Sequence, residues 1–541
     1  MIKIENLSVA FEGTEVVKNV TLELKDGEIL GVVGESGSGK SVTALTMMGL
    51  VSETAQITSG RILFDDVVLR EAGKPLDKAL YRKYQGAEMS MVFQEPMTSL
   101  NPTLRVGKQV EEMLRLHTDL TGEEIRTRVL ETFEAVGLKK VKEVYASYPH
   151  QLSGGMRQRV MIAMAVILHP DLIVADEPTT ALDVTIQNQI MELLREINEK
   201  EQNAMLFITH DLNLARRICH RVAVMKDGCV VEQGRTADIF EHPKEEYTRK
   251  LIEAVPSRLK KRVSVMERLY PERYGEKPGE KNEENSEERE KGIPKIAAVR
   301  DLSVYYRDGN RNPFSKKKQH CVVEGASFDI YKGESLGLVG ESGCGKTSLS
   351  KAILGMNPLI SGEIKLETIR PQMIFQDPYS SLNPTKTIGW LLEEPLRAVG
   401  KLDESLAMTA EDRRAAAYDM LHKVGLEDKY FGRKPSQLSG GQRQRISIGQ
   451  ALITGPGLIV ADEPVSALDV TIQAQIMELM QKLQEEMQLS YLFISHDINV
   501  VYKMCDRIMV MKEGKIVEIG GTEEIFSNPR QEYTKTLLKN S

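Results

Sequence analysis

The chain has 541 residues, 41% of them hydrophobic and 28% charged, with a formal net charge of −7. That length and apolar content suffice for two sizeable cores, and the mild acidic balance gives no electrostatic case for nucleic-acid binding, which normally wants a basic face. The apolar runs are short: 160–168, among the longest, falls far below the ~18–20 residues of a membrane span.

Strand-like alternation opens the chain over 2–9, with no signal-peptide pattern before it, and returns over 298–305. A buried run, 29–33, feeds the loop Gly34-Glu-Ser-Gly-Ser-Gly39-Lys40-Ser41, after which a helix should start. The run 335–339 feeds Gly340-Glu-Ser-Gly-Cys-Gly345-Lys346-Thr347 in the same way. Mostly helical stretches are expected over roughly 103–147 and 386–434. Apolar runs at 172–175, 204–208, 458–461 and 491–494 read as central, fully buried strands. Between Pro271 and Pro294 the sequence is dense in charge with one aliphatic residue, and it cannot bury enough surface to offset ordering its backbone. The expected layout is therefore a first domain over 1–255, a charged flexible linker over 256–294 and a second domain over 295–541.

The two halves are a duplication. From Ser-Gly-Gly through the acidic pair to a histidine, every position shifts by 286: Ser153 to Ser439, Glu177 to Glu463, His210 to His496. Lys40 to Lys346 is a shift of 306 and Gln94 to Gln376 one of 282, so the length differences sit in the early segments.

The motifs carry a consistent chemistry. In each glycine loop, backbone N–H groups can curl around phosphates, at Gly34, Ser36, Gly37, Ser38 and Gly39 and at Gly340, Ser342, Gly343, Cys344 and Gly345. Lys40 and Lys346 reach the β/γ oxygens, and Ser41 and Thr347 ligate magnesium. Asp176 and Asp462 end hydrophobic strands and should hold magnesium, while Glu177 and Glu463 polarise the attacking water. Ser153-Gly154-Gly155 and Ser439-Gly440-Gly441 begin helices and form preformed anion sites. His210 and His496 follow buried strands at matching places and are candidate γ-phosphate contacts. Five scattered cysteines without a C-x-x-C pair fit a reducing compartment and speak against a zinc or disulfide framework. Cys344 reads as a small residue fitting a tight loop.

Phosphate loop, Gln, Leu-Ser-Gly-Gly, Asp-Glu, Ala-Leu-Asp and His in this order resemble the ATP-binding cassette (ABC) ATPases over both repeats. The resemblance implies an α/β fold of two phosphate-loop NTPase domains, each with a RecA-like core, an antiparallel β subdomain and a helical subdomain. It also implies two ATPs sandwiched head to tail, with Ser439-Gly440-Gly441 facing the ATP on Lys40 and Ser153-Gly154-Gly155 the ATP on Lys346. Gln94 and Gln376 would sense magnesium and a membrane partner, and Asp183 and Asp469 would couple the sites. Family cassettes stack adenine on an aromatic near the first strand, where Phe11 and Tyr306 sit. The polar insertion 307–320 leaves a packing or loop role open for Tyr306.

A narrower resemblance, to the ATPases of bacterial oligopeptide, dipeptide, glutathione and nickel importers, rests on Val92-Phe-Gln-Glu-Pro-Met-Thr-Ser-Leu-Asn-Pro and Ile374-Phe-Gln-Asp-Pro-Tyr-Ser-Ser-Leu-Asn-Pro. It rests also on the tails His242-Pro-Lys-Glu-Glu-Tyr-Thr and Asn528-Pro-Arg-Gln-Glu-Tyr-Thr. That similarity implies ATP and Mg2+ as cofactors, a place on the cytoplasmic face of the membrane, two integral-membrane permeases and an extracytoplasmic solute-binding protein as partners. No iron–sulfur cluster is expected, because no cysteine occurs between Cys229 and Cys321. Met156 stands where the family commonly has Gln. The alternative is a soluble tandem cassette acting on ribosomes or DNA. Against it, Pro271, Pro278, Gly279 and Gly292 make the linker short and broken rather than a long charged helix.

Overall fold

The computed structural model describes residues 2–180, 182, 184–255, 266, 269–270, 292–307, 319–357, 359–368, 370–377, 381–466 and 468–539, with only the backbone at 96, 97 and 307. Asp183 and nearly all of the expected linker lie outside the described residues. The chain divides into two compact units, the first Met1–Val255 with Asp469–Thr471 and the second the remainder.

The first unit contains strands β1 (Ile2–Phe11), β2 (Thr14–Leu24), β3 (Ile29–Val33), β4 (Ala55–Phe64) and β5 (Val67–Glu71). They are followed by β6 (Met89–Val92), β7 (Leu172–Asp176), β8 (Ala204–Thr209), β9 (Arg221–Lys226) and β10 (Cys229–Arg235). Four of these make an antiparallel sheet of order β2-β1-β4-β5, and six make a sheet of order β10-β9-β3-β8-β7-β6. The six-stranded sheet is parallel except at β9–β10.

Continuous apolar runs build this sheet because both of its faces are covered. Ile29, Val33, Ile173, Ala175, Met205 and Phe207 pack with the helices Gly154–Val166, Val184–Glu201 and Leu212–Ile218. The alternate residues Leu30, Val32, Leu172, Val174, Leu206 and Ile208 pack with the antiparallel sheet and the helix Lys40–Met47. The helical stretch is Val106–His117, Gly122–Ala135 and Val141–Ala146, with Thr121 and Glu124 closing a capping box on the second.

The second unit contains β11 (Lys295–Arg307), β12 (Gln319–Tyr331), β13 (Ser335–Val339), β14 (Ile360–Leu366) and β15 (Gln372–Ile374). Then come β16 (Leu458–Asp462), β17 (Ser490–Ile494), β18 (Arg507–Lys512) and β19 (Lys515–Gly521). Their sheets run β12-β11-β14 and β15-β16-β17-β13-β18-β19. Helices Ile388–Leu402 and Ala410–Lys423 fill the expected helical stretch.

The unequal spacings now have a place. Lys40 to Gln94 spans 54 positions and Lys346 to Gln376 only 30. Among the described residues, the second unit has no counterpart of β5 or of the helix Lys78–Tyr84. In the other direction, Phe11 pairs with Thr14 across a two-residue turn, whereas Arg307 pairs with Gln319.

Candidate active site

β3 and β13 each lie between two parallel neighbours; the chain leaves β3 and β13 toward one edge of the sheet and the adjacent β9 and β18 toward the other, so the loop at their carboxyl ends opens at a topological switch point. Gly34 and Gly340 begin those loops at φ 152° and 154°. A Cβ there would stand 2.2 Å from the carbonyl oxygen of Met225 or Met511, so no side chain fits. Beyond each loop a helix starts, at Lys40 and at Lys346, with its first N–H groups unpaired along the axis. Lys40 is buried and donates to the carbonyls of Gly34 (2.8 Å) and Glu35 (2.7 Å). Lys346 does the same to Gly340 (2.7 Å) and Glu341 (2.9 Å). Cys344 is buried, its Sγ 3.9 Å from the Lys346 ammonium.

The acidic pairs end β7 and β16, neighbours of the strands beside each loop. The Ser41 hydroxyl donates to Asp176 (3.0 Å), and that of Thr347 to Asp462 (3.3 Å). Glu177 and Glu463 turn out of the strands with φ 46° and 49°, the left-handed region that a glutamate occupies only when its surroundings impose it. Their backbone N–H groups still bond the neighbouring strand, at Ile208 and Ile494 (both 2.9 Å). The turn delivers each carboxylate to two other motifs. Glu177 meets His210 Nδ1 at 3.1 Å and accepts from Gln94 Nε2 (2.9 Å) and the Thr180 hydroxyl (3.0 Å). Glu463 meets His496 Nδ1 at 3.1 Å and accepts from Gln376 Nε2 (2.8 Å). Ser466, which corresponds to Thr180, donates to the Glu463 carbonyl at 3.1 Å.

Thus Lys, Ser/Thr, Asp, Glu, Gln and His of each repeat converge within their own unit. The glutamines sit on the glutamates rather than on the Ser–Asp pairs. Ser153 and Ser439 cap the helices Gly154–Val166 and Gly440–Leu452 by accepting from the third N–H (3.3 and 3.4 Å). The Gln442 side chain returns a bond to the Ser439 N–H at 3.0 Å, whereas the Met156 thioether in the first repeat has no such amide. Asp469 immediately precedes the helix Val470–Met487. Phe11 is half-buried at the end of β1, and Tyr306 is exposed opposite His320. Sequence reasoning missed the left-handed glutamates and the hydroxyl three residues after each; Thr180 and Ser466 at matching places were the available signal.

The electrostatics follow from burial against close partners. Burial pushes the Asp176 carboxyl up to about 6, despite the Ser41 hydroxyl bond that pulls it down. Burial also opposes charge on Glu177, but the His210 hydrogen bond and charge hold it below the usual carboxylate range. His210 is disfavoured as a cation by burial and raised by Glu177, with a net rise. His496 and Glu463 shift in the same directions for the same reasons. Burial lowers Lys40, opposed by the charges of Glu177, Asp176 and Glu35.

These shifts give a pH signature. A raised histidine contributes its full stability below the ordinary value of about 6.5 and loses it as pH rises through the raised value. A lowered glutamate contributes fully above about 4.3 and loses it as pH falls through the lowered value. His210→Gln should therefore cost most in melting temperature between about pH 5 and 6.5, with the deficit shrinking toward pH 9. A deficit that stays level or grows from pH 6 to 9 would count against the pair.

The donor set suits a nucleotide and a hard cation. A Cβ on Gly37 or Gly343 would meet no atom within 4 Å, so the loop is open there beside a buried ammonium, and the Ser–Asp and Thr–Asp pairs offer oxygen ligands.

Two family profiles match the chain. One, described as ABC transporter, covers residues 17–180 and 323–466. The other, described as oligopeptide/dipeptide transporter, C-terminal region, covers 231–276 and 517–541. The glutathione import ATP-binding protein GsiA of Escherichia coli (strain K12) is 40% identical over 99% of this chain and 89% of its own length. The protein of that name from Pectobacterium atrosepticum (strain SCRI 1043) is also 40% identical, with the same coverage. A solved complex of archaeal ribosomal stalk protein aP1 with the archaeal ribosome recycling factor aABCE1 covers 94% of this chain and 88% of its own at TM-score 0.58. At 19% identity that likeness concerns the fold alone.

Proposed function

The chain belongs to the ABC transporter family, and from that premise we propose that it powers an importer of peptides or related small solutes of the dipeptide, oligopeptide, glutathione or nickel type. It is an ATPase of that family, with two ABC domains in tandem. The observation that carries the proposal is the peptide-transporter C-terminal region after each ABC segment, in a chain 40% identical over 99% of its length to glutathione import ATP-binding proteins. The 541 residues would form two domains, 1–255 and 295–541, joined by a tether, on the cytoplasmic face of a membrane. No helix among the described residues is long and apolar enough to cross one. Two integral-membrane permeases, fed by an extracytoplasmic solute-binding protein, would be the chain's partners.

Catalysis would proceed from residues already in place. Each loop's N–H groups and Lys40 or Lys346 bind the phosphates. Ser41 with Asp176, and Thr347 with Asp462, would hold Mg2+, which when bound offsets charge on the β/γ oxygens. Glu177 and Glu463 orient and polarise water for attack on the γ-phosphorus, taking up its proton as the bond to the β–γ bridging oxygen breaks. His210 and His496 keep those carboxylates ionised and aimed, and the glutamine amides bind the same carboxylates.

The two units would close head to tail, each lending its Ser-Gly-Gly helix start to the other's ATP, with Asp183 and Asp469 coupling the sites. Ser439→Arg should then stop hydrolysis of the ATP held by Lys40 and spare the one held by Lys346, because a bulky cation blocks the helix start. Site-resolved nucleotide trapping checks this, and loss confined to the Lys346 site would contradict the pairing. For the function itself, the tagged chain should copurify from solubilised membranes with two integral-membrane proteins. Its deletion should abolish uptake of labelled glutathione or small peptides. Copurification with ribosomes and unchanged uptake of every such solute would overturn the proposal.

A further inference from the structure

The C-terminal segment of each unit, unused in the chemistry above, runs back to the phosphate loop. In the second unit, Glu518 on β19 is buried and gathers the approach to the helix Glu532–Lys539. Its carboxylate accepts from the N–H of Arg530 (2.7 Å) and Gln531 (3.2 Å) and from the Thr534 hydroxyl. That anchor places Tyr533 against the loop, where its hydroxyl accepts the backbone N–H of Glu341 at 3.2 Å. Glu341 is the loop's second residue. The Lys512 ammonium lies 5.0 Å from the centre of the Tyr533 ring, and Gly514, at the β18–β19 turn, donates its N–H to the Cys344 carbonyl at 2.9 Å. The loop is thus held at two points by elements C-terminal to the catalytic motifs.

The first unit repeats the parts. Glu232 on β10 accepts from the N–H of Lys244 (2.9 Å) and Glu245 (3.2 Å), Lys226 lies 4.8 Å from the Tyr247 ring centre, and Gly228 donates to the Ser38 carbonyl at 3.2 Å. The Tyr247 hydroxyl is buried against the Glu35 backbone at the matching place in the first loop.

We infer that Tyr533 is a positioning residue for nucleotide binding: through the Glu341 N–H it holds the outer lip of the second phosphate loop and sets that site's affinity for ATP. The inference rests on the reading that ATP occupies this loop. A loop already held near its bound shape loses less freedom when phosphates dock. One net hydrogen bond corresponds to a roughly two- to tenfold change in affinity. Glu463, His496 and Gln376 sit on other elements, so the chemical step should keep its rate.

The test uses the full chain with Tyr533→Phe and, for comparison, Tyr247→Phe. Azido-ATP cross-linking resolved by half gives saturation at each site, alongside steady-state hydrolysis and melting without nucleotide. Tyr533→Phe should raise half-saturating ATP at the Lys346 site roughly two- to tenfold. It should leave the Lys40 site and kcat essentially unchanged and lower the nucleotide-free melting temperature by no more than the roughly 2–4 °C that one hydrogen bond is worth. Tyr247→Phe should act on the Lys40 site and leave saturation at the Lys346 site unchanged. Unchanged saturation at the Lys346 site would overturn the inference. So would a shift accompanied by a larger drop in nucleotide-free melting temperature, or an equal shift at the Lys346 site from Tyr247→Phe. Wild-type chain that saturates at neither site would instead overturn the proposed function, which the same assay reads separately.

Discussion

Glu177→Gln should slow hydrolysis at the first loop by about 10²–10⁴-fold while ATP still binds, and Glu463→Gln should do the same at the second. Among the described residues of each site, the glutamate carboxylate is the group that lies 3.1 Å from a histidine able to keep it ionised, and it can take a proton. Glutamine keeps the side-chain length and still accepts from Gln94 and Thr180, so the site should hold its shape and trap ATP uncleaved. Both repeats keep the full set, so each single variant should depress steady-state turnover of the chain, and the double variant should abolish it. Single-turnover hydrolysis and retained-ATP assays measure this. Full activity in either single variant would show that its site does not contribute.

Lys40→Ala should weaken ATP binding at the first loop by roughly 10²-fold, the value of about two charge-assisted hydrogen bonds to phosphate oxygens. The fold should bear the change well. Lys40 is 5% exposed and burial already works against its charge, so removing the ammonium relieves a desolvation cost while losing the bonds to Gly34 and Glu35. Nucleotide binding and nucleotide-free melting, measured together, separate the two effects. Unchanged ATP saturation at that loop would mean the phosphates bind elsewhere.

The local elements and the candidate site residues are legible without the fold. Runs such as 29–33 and 204–208 are apolar at every position because both sheet faces are covered, and that pattern needs no partner to be read. The loops, the acidic pairs and the histidines were legible because a duplication printed each of them twice in the same order, the acidic pairs and histidines at one offset. The unequal 54- and 30-residue spacings announced a length difference, but only the sheets assigned it to β5 and the helix Lys78–Tyr84.

What the tertiary structure alone decided is who touches whom across long separations. Gln94 reaches Glu177 over 83 residues, and Tyr533 reaches Glu341 over 192. Neither contact leaves a periodic or local trace, because strand order brings the partners together rather than chain neighbourhood. The left-handed turn at Glu177 and Glu463 was hidden for a related reason. Glutamate has no intrinsic preference for that conformation, and the hydrogen bonds to Ile208 and Ile494 in the adjoining strands impose it.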